Sequence, residues 1–287
     1  MFNDNYIKNE RDSIYEDFER KMSTQNLFSS LMLIDLMVTE LCNRTCEFCP
    51  RHDPAIYPNL NLHMDFDLFK KIIVDLSELN YQNRLLYCGF GESLLYKHIF
   101  DSISFIRDNM PWQQNIHLVS NGDRLDKNTI KELFLAGLNK LYISLYDGEE
   151  QIDYFNNLFY ELGIEEDKYL LQKYYKSKEE NYGFVHLSNR AGKLFSGSYS
   201  GGCNTPFYAL SINYDGKTLL CSHDWNKSVI TGDLNSQSIY DIWVNSSTLN
   251  SYRKMLMSSR EQNPCQSCNI IGTLYGNRSK KILCKYI

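Results

Sequence analysis

The chain of 287 residues has no long apolar run. Its longest, Leu31–Val38, is eight residues and carries Asp35, whereas a helix that crosses a bilayer needs about 20. The opening MFNDNYIKNERDSIYEDFER is polar and charged and lacks the apolar stretch of a secretion signal. Positive charge is not in excess: 30 Lys and Arg face 35 Asp and Glu, for a net charge of −5. That balance argues against a surface built to coat phosphate backbones, so neither a nucleic-acid nor a membrane partner is expected. Cysteine is too sparse for a disulfide scaffold, and the nine present cannot all pair. A reducing, cytoplasmic setting is therefore expected, where clustered thiols hold metal or do chemistry. No internal repeat of fixed period is visible.

What is there suits a globular chain. Apolar residues make up 43% of it, enough to bury a sizeable core and exclude wholesale disorder. The length fits about two domains. Ile14, Phe18 and Met22 fall at helical spacing and predict a short amphipathic helix in a lead-in over residues 1–30. From Leu31 strands and helices alternate. Leu31–Val38, Leu85–Cys88, Ile116–Val119 and Leu141–Leu145 read as buried strands, with Tyr169–Tyr175 and Phe184–Leu187 as weaker candidates. Helical periodicity marks Phe66, Phe69, Ile73 and Leu76 behind a capping Asp65, then Ile99, Ile103 and Ile106. It recurs at Ile130, Leu133 and Phe134, between a capping Asp126 and a closing Gly137, and near Ile152–Leu162. The alternation predicts an α/β chain with a parallel sheet, bent into a partial (β/α)6 barrel over residues 31–195. In such a barrel the chemistry lies on the loops that follow the strands. Ser196–Gly202 (SGSYSGG) reads as a hinge into a small C-terminal α+β domain over residues 196–287. That domain opens on a hairpin, Ala209–Asn213 and Thr218–Cys221 about Asp215-Gly216, and holds a helix near Ser238–Val244.

The cysteines fall in two sets. Cys42, Cys46 and Cys49 lie within eight residues, just after the first strand. Three thiolates so placed can hold three corners of a 4Fe–4S cube and leave the fourth iron open; with His52 they would instead close a zinc site. Cys203, Cys221, Cys265 and Cys268 supply four ligands, enough to close a 4Fe–4S cluster, with a structural zinc site as the alternative. Cys88 and Cys284 remain. Cys88 reads as a small core residue or as a hydrogen-atom donor, and Cys284 as a spare thiol or a replacement ligand.

The pattern C-x3-C-x-aromatic-C at Cys42, Cys46 and Cys49, with Phe48 before the last cysteine, resembles the signature of the radical S-adenosylmethionine (SAM) superfamily. The resemblance extends from Leu31 to about Arg190 through motifs at successive strand ends. Gly89-Phe90-Gly91-Glu92 follows the second strand, Ser120 and Asn121 end the third, Ser144 lies on the fourth, and Arg190 follows the last. It implies that Phe48 packs near the adenine, that the Gly91–Glu92 segment holds the SAM amino group, and that Ser120, Asn121 and Ser144 line the rest. A family arginine shortly beyond Asp147-Gly148 is absent. Asn156 and Asn157 stand there instead, which leaves Arg190 as the carboxylate partner. The second set resembles the SPASM extension in its shortened, twitch form, since no cysteine follows closely after Cys268. Together these imply two 4Fe–4S clusters, one binding SAM and one closed by protein, with a flavodoxin or ferredoxin as reductant.

The implied chemistry is reductive cleavage of SAM to methionine and a 5′-deoxyadenosyl radical, which takes a hydrogen atom from an unactivated carbon. The shortened extension resembles that of single-auxiliary-cluster dehydrogenases. It implies oxidation of a hydroxyl-bearing carbon in a small sugar or aminocyclitol, with the second cluster taking an electron. His223 or Asp224, after Cys221, is the candidate proton acceptor, Asp224 being preferred as catalytic, unless both serve only to hold the cluster. Modification of a ribosomally made peptide is the alternative, disfavoured because only 41 residues precede Cys42, short of a leader-binding domain. A radical epimerase, using Cys88, is another.

Overall fold

In the computed structural model the described residues are 27–184, 186–273 and 276–287. The expected helix at Ile14, Phe18 and Met22 lies outside them. The chain divides into two compact units. One takes residues up to Asp35, Arg44–Leu60 and Ser188–Ile287, the other Leu36–Asn43 and Asn61–Leu187.

The second of these is the sheet unit. Strand β1 (Leu33–Leu36) leads into it. Strands β2 (Arg84–Tyr87), β3 (Ile116–Ser120), β4 (Lys140–Leu145) and β5 (Tyr169–Lys173) pair in parallel, in that order. All six residues of β4 are buried, as parallel strands covered on both faces require. Helices α1 (Phe66–Glu78), α2 (Ile99–Asn109), α3 (Lys127–Leu135) and α4 (Glu150–Leu162) connect them. Asp65 and Asp126 cap α1 and α3 as expected, accepting from the N–H groups of Asp67 and Leu68 and of Thr129. The apolar stripe of α1, Phe69, Ile72, Ile73 and Leu76, is buried.

The mixed α/β class with a parallel-rich sheet is present, and four of the six expected units are complete among the described residues. Phe184–Leu187 forms no strand among the described residues. Asn181, Tyr182 and Gly183 take positive φ in a short 3-10 turn, which breaks extension. Phe184 then stacks on Tyr174, ring centroids 4.4 Å apart. The described residues therefore hold four strand–helix repeats and a fifth strand.

The other unit contains the expected hairpin. Strand β6 (Ala209–Ile212) pairs antiparallel with β7 (Lys217–Leu219), and β7 with β8 (Ile230–Asp233). The Asp215 carboxylate closes the turn, accepting from the Asn213 side chain at 2.8 Å and the Lys217 N–H at 3.2 Å. Helices α5 (Ile239–Asn245) and α6 (Ser247–Met255) are capped by the hydroxyls of Ser238 and Ser246. Helix α7 spans Gly276–Leu283. Their core is organised by a buried cation. Arg253 lies over the Trp243 ring at 4.1 Å and donates to the carbonyls of Pro206 and Trp243.

The glycines of the expected hinge include one with a packing role. A Cβ on Gly202 would overlap the Leu256 carbonyl oxygen and sit 2.9 Å from that of Met257. The chain before Cys203 is thus held against the end of α6, and the Cys203 N–H donates to the Leu256 carbonyl at 3.0 Å.

Candidate active site

In the sheet unit the loops leaving β1, β2 and β3 are bound to one another. A Cβ on Gly91 would overlap the Thr39 carbonyl oxygen and stand 2.7 Å from that of Leu41. Only glycine lets the two backbones approach so closely. The next N–H, of Glu92, donates to the Leu41 carbonyl at 2.8 Å. Glu92 is 4% exposed. Its Oε1 accepts from the Leu94 N–H at 3.1 Å and its Oε2 from the Asn121 N–H at 2.7 Å. Burial pushes its pKa up, while the Asn121 and Leu94 N–H groups and the Ser120 hydroxyl pull it back. Its two oxygens thus join the β2 and β3 loops. The Asn121 side chain donates to Asn43 Oδ1 at 2.8 Å, and Asn43 donates to Asp123 at 2.6 Å. Asn43 is the residue after Cys42, so the β3 loop grips the start of the cysteine loop. Ser120 is buried and accepts from the Gly122 N–H at 3.1 Å, and Ser144 is buried on β4.

Cys42 belongs to the sheet unit, Cys46, Phe48 and Cys49 to the other. All three cysteines are free and half-buried, and Phe48 is also half-buried. The Cys49 N–H donates to the Cys46 carbonyl and the His52 N–H to the Cys49 carbonyl, each at 2.9 Å. His52 is exposed. Arg51, next to it, is buried, donating to Asn59 at 2.9 Å with its guanidinium 5.0 Å from the Tyr57 ring.

The second cysteine set comes together in one place. Cys203, Cys221, Cys265 and Cys268 line a single cavity, walled also by Thr205, Leu220, Asp224, Leu256, Arg260 and Ile270. Burial pushes the Cys221 thiol well up, and crowding by Cys203, Cys268 and Cys265 adds to it. Burial, with Cys203 and Cys268, takes Cys265 up to about 12. Backbone N–H groups already point at the sulfurs, His223 to Cys221 at 3.2 Å and Ile270 to Cys268 at 3.4 Å. Four crowded thiols that resist ionisation are stabilised as thiolates by a cationic metal group at their centre. Among the described residues no group of three or more His, Cys, Asp or Glu is arranged to hold a single ion; these four surround a space instead. The residues fit a closed iron–sulfur cluster with N–H donors on its ligands. Cys284, at the end of α7, does not line the cavity, and Cys88 is a half-buried thiol following β2.

Two expected site residues have other commitments. Asp224 is 1% exposed, and its oxygens accept from the Ser228 hydroxyl at 2.8 Å and the Val229 N–H at 2.9 Å. The carboxylate chosen as proton acceptor closes the turn after Cys221. Arg190 takes φ +50, and its Nη1 lies 3.4 Å from His223 Nδ1. Burial, with Arg190 alongside, lowers His223 to about 3 and keeps its imidazole neutral. Asn43, Asp123 and Arg260 are parts of the site that spacing did not reveal.

Two family models match the chain: the radical SAM superfamily over residues 36–165 and the SPASM iron–sulfur cluster-binding domain over residues 203–269. The chain is a radical SAM enzyme, an iron–sulfur oxidoreductase whose cofactors are 4Fe–4S clusters and SAM. Among its relatives is the S-adenosyl-L-methionine-dependent 2-deoxy-scyllo-inosamine dehydrogenase of Niallia circulans. It is 26% identical over 244 residues, covering 83% of this chain and 92% of that one. The structure of BtrN in complex with AdoMet and 2-DOIA superposes with a TM-score of 0.69 at 26% identity, over 84% of this chain and 94% of that one. The anSMEcpe structure with bound AdoMet, at 13% identity and a TM-score of 0.51, covers 89% of this chain and 96% of that one and shares the fold. No helix among the described residues is long and apolar enough to cross a membrane.

Proposed function

We propose that this enzyme oxidises a hydroxyl-bearing carbon of a small polar molecule, an aminocyclitol or related sugar, to a carbonyl. Cys42, Cys46 and Cys49 would hold the cluster that binds SAM, and Cys203, Cys221, Cys265 and Cys268 the closed auxiliary cluster. When bound, these groups supply a 5′-deoxyadenosyl radical for hydrogen-atom removal and an acceptor for the second electron. The observation that carries the reading is the convergence of four thiols, and no fifth cysteine, on one buried cavity. A cluster ligated at every iron has no corner for substrate but can still exchange an electron. The dehydrogenase of Niallia circulans, similar along most of both chains, supports the same chemistry here.

The protein's own residues then have positioning roles. Gly91 lets the β2 loop lie against the backbone that leads to Cys42. Glu92, Asn121 and Asn43 fix the three loops with hydrogen bonds of 2.7–3.1 Å, so SAM would meet a preset cradle. Phe48, Ser120 and Ser144 would complete it, and Arg190 would face a carboxylate with the donors that His223 leaves unused. Asp224, which holds the cluster-bearing turn, would take the substrate proton. A small electron-transfer protein of the flavodoxin or ferredoxin type would reduce the first cluster.

The test is anaerobic incubation of the reconstituted enzyme with SAM, a reductant and a panel of aminocyclitols. One 5′-deoxyadenosine per carbonyl product is expected. A product at the substrate's oxidation level, or turnover with peptides alone, would overturn the proposal.

A further inference from the structure

Arg260 is the one guanidinium in the wall of the cysteine cavity, and it is 7% exposed. Each hydrogen bond recorded for it goes to a neutral backbone carbonyl: Nε to Gly201 at 2.8 Å, Nη2 to Gly202 at 2.8 Å and Nη1 to Cys268 at 3.0 Å. No carboxylate pairs with it among the described ion pairs. Tyr199 covers it, the ring centroid 5.6 Å from the guanidinium carbon. Arg260 therefore brings a full positive charge into a nearly dry wall and leaves it without a protein counter-ion. Buried charges normally have a partner. The same cavity is lined by Cys203, Cys221, Cys265 and Cys268, and by the Asp224 carboxylate, whose oxygens are engaged by Ser228 and Val229. Arginine stays protonated at any working pH, so the charge is fixed.

We propose that Arg260 is an electrostatic positioning residue whose fixed charge raises the reduction potential of the auxiliary cluster and so makes it the better electron acceptor. The inference rests on the cluster assignment made above. A cluster held by four thiolates gains one negative charge when it takes an electron. A cation in a low-dielectric wall stabilises the reduced form more than the oxidised one. The bonds to the carbonyls of Gly201, Gly202 and Cys268 fix that charge at the two ends of the ligand set. Lysine there would keep the charge and lose the fork.

The test is an anaerobic redox titration of the reconstituted holoenzyme, followed by the electron paramagnetic resonance signal of the auxiliary cluster. The signal is assigned by its loss in a Cys265→Ala/Cys268→Ala variant. Arg260→Gln is expected to lower the equilibrium constant for accepting one electron at least tenfold, which is about 59 mV for a one-electron couple. Arg260→Lys should stay near the parent value. Tyr199→Glu leaves the three carbonyl bonds intact and sets a carboxylate beside the guanidinium; it should lower the potential in the same direction, and Tyr199→Gln should not. An unchanged potential in Arg260→Gln with its cluster loaded would overturn the proposal; if that variant fails to load its cluster, an unchanged potential in Tyr199→Glu would overturn it. If the double cysteine variant loses no iron and no signal, the cluster assignment is what fails, not the role of Arg260.

Discussion

The substitution Gly91→Ala isolates the contact between the β2 loop and the backbone that leads to Cys42. The added methyl has backbone on two sides, the Thr39 and Leu41 carbonyl oxygens, and neither can swing away as a side-chain tip would. Relief requires the β2 loop to lift from the chain that leads to Cys42. Overpacking of this kind costs about 1–3 kcal/mol. Lifting the loop also strains the Glu92 N–H bond to Leu41, 2.8 Å in the parent, at about 0.5–1.5 kcal/mol. A total of roughly 1.5–4.5 kcal/mol then falls on one loop pair, or some 10- to 1,600-fold in the population of the closed arrangement. The auxiliary cavity lies in the other unit and should not register the change. Iron and sulfide analysis after reconstitution, with SAM binding measured alongside, is the assay. About four irons per chain should remain from a parent value of about eight, and SAM affinity should fall by at least tenfold. A variant that keeps full iron and parental SAM affinity would refute the role given to this glycine.

Other expectations can be checked with the same preparation. Cys42→Ala, Cys46→Ala and Cys49→Ala should each abolish 5′-deoxyadenosine formation while leaving roughly half the iron, measured by liquid chromatography and metal analysis. Cys265→Ala/Cys268→Ala should retain SAM cleavage but lose the carbonyl product, so that 5′-deoxyadenosine forms without oxidised substrate. Asp224→Asn replaces one of two accepting oxygens and should cost about 1–3 kcal/mol in urea unfolding of the apoprotein, with full auxiliary iron restored by reconstitution. His117 on β3 is buried, and burial, helped by Arg84 and Lys140, holds its pKa well below the ordinary value of 6.5. The unfolded chain takes up a proton there below about pH 6.5 and the folded chain does not. Stability should therefore fall with acidification from that pH, by up to about 1.4 kcal/mol per unit, and His117→Gln should flatten that part of the profile.

The sequence is most legible where a feature is local. Asp65 and Asp126 announce their helices because a cap acts within three residues, and the Asp215-Gly216 turn is set by contacts two residues apart. Cys42, Cys46 and Cys49 can be read as a set because they share one loop. Roles that depend on distant partners are not legible in the same way. Glu92 looks like a ligand-binding residue in the motif, yet its partner Asn121 lies 29 positions on. Asn43 is one polar residue among many until Asn121 meets it, 78 positions away. Arg260 has no motif at all, since its three carbonyl partners come from two other segments. Phe184–Leu187 has strand composition, but the left-handed backbone at Asn181 and Tyr182 is a property of the fold, as neither residue demands it. Asp224 follows Cys221 as a base might, and only its contacts with Ser228 and Val229 show its oxygens to be engaged.

The most direct measurement is an anaerobic iron count joined to electron paramagnetic resonance of the reduced holoenzyme, with and without SAM. Two 4Fe–4S clusters call for about eight irons per chain and two signals. SAM should shift the one that Cys42→Ala removes and leave untouched the one that Cys265→Ala/Cys268→Ala removes. A colourless protein with two zinc ions, a single cluster, or a SAM response in the signal of the Cys203, Cys221, Cys265 and Cys268 site would contradict the division of labour between the two cysteine sets.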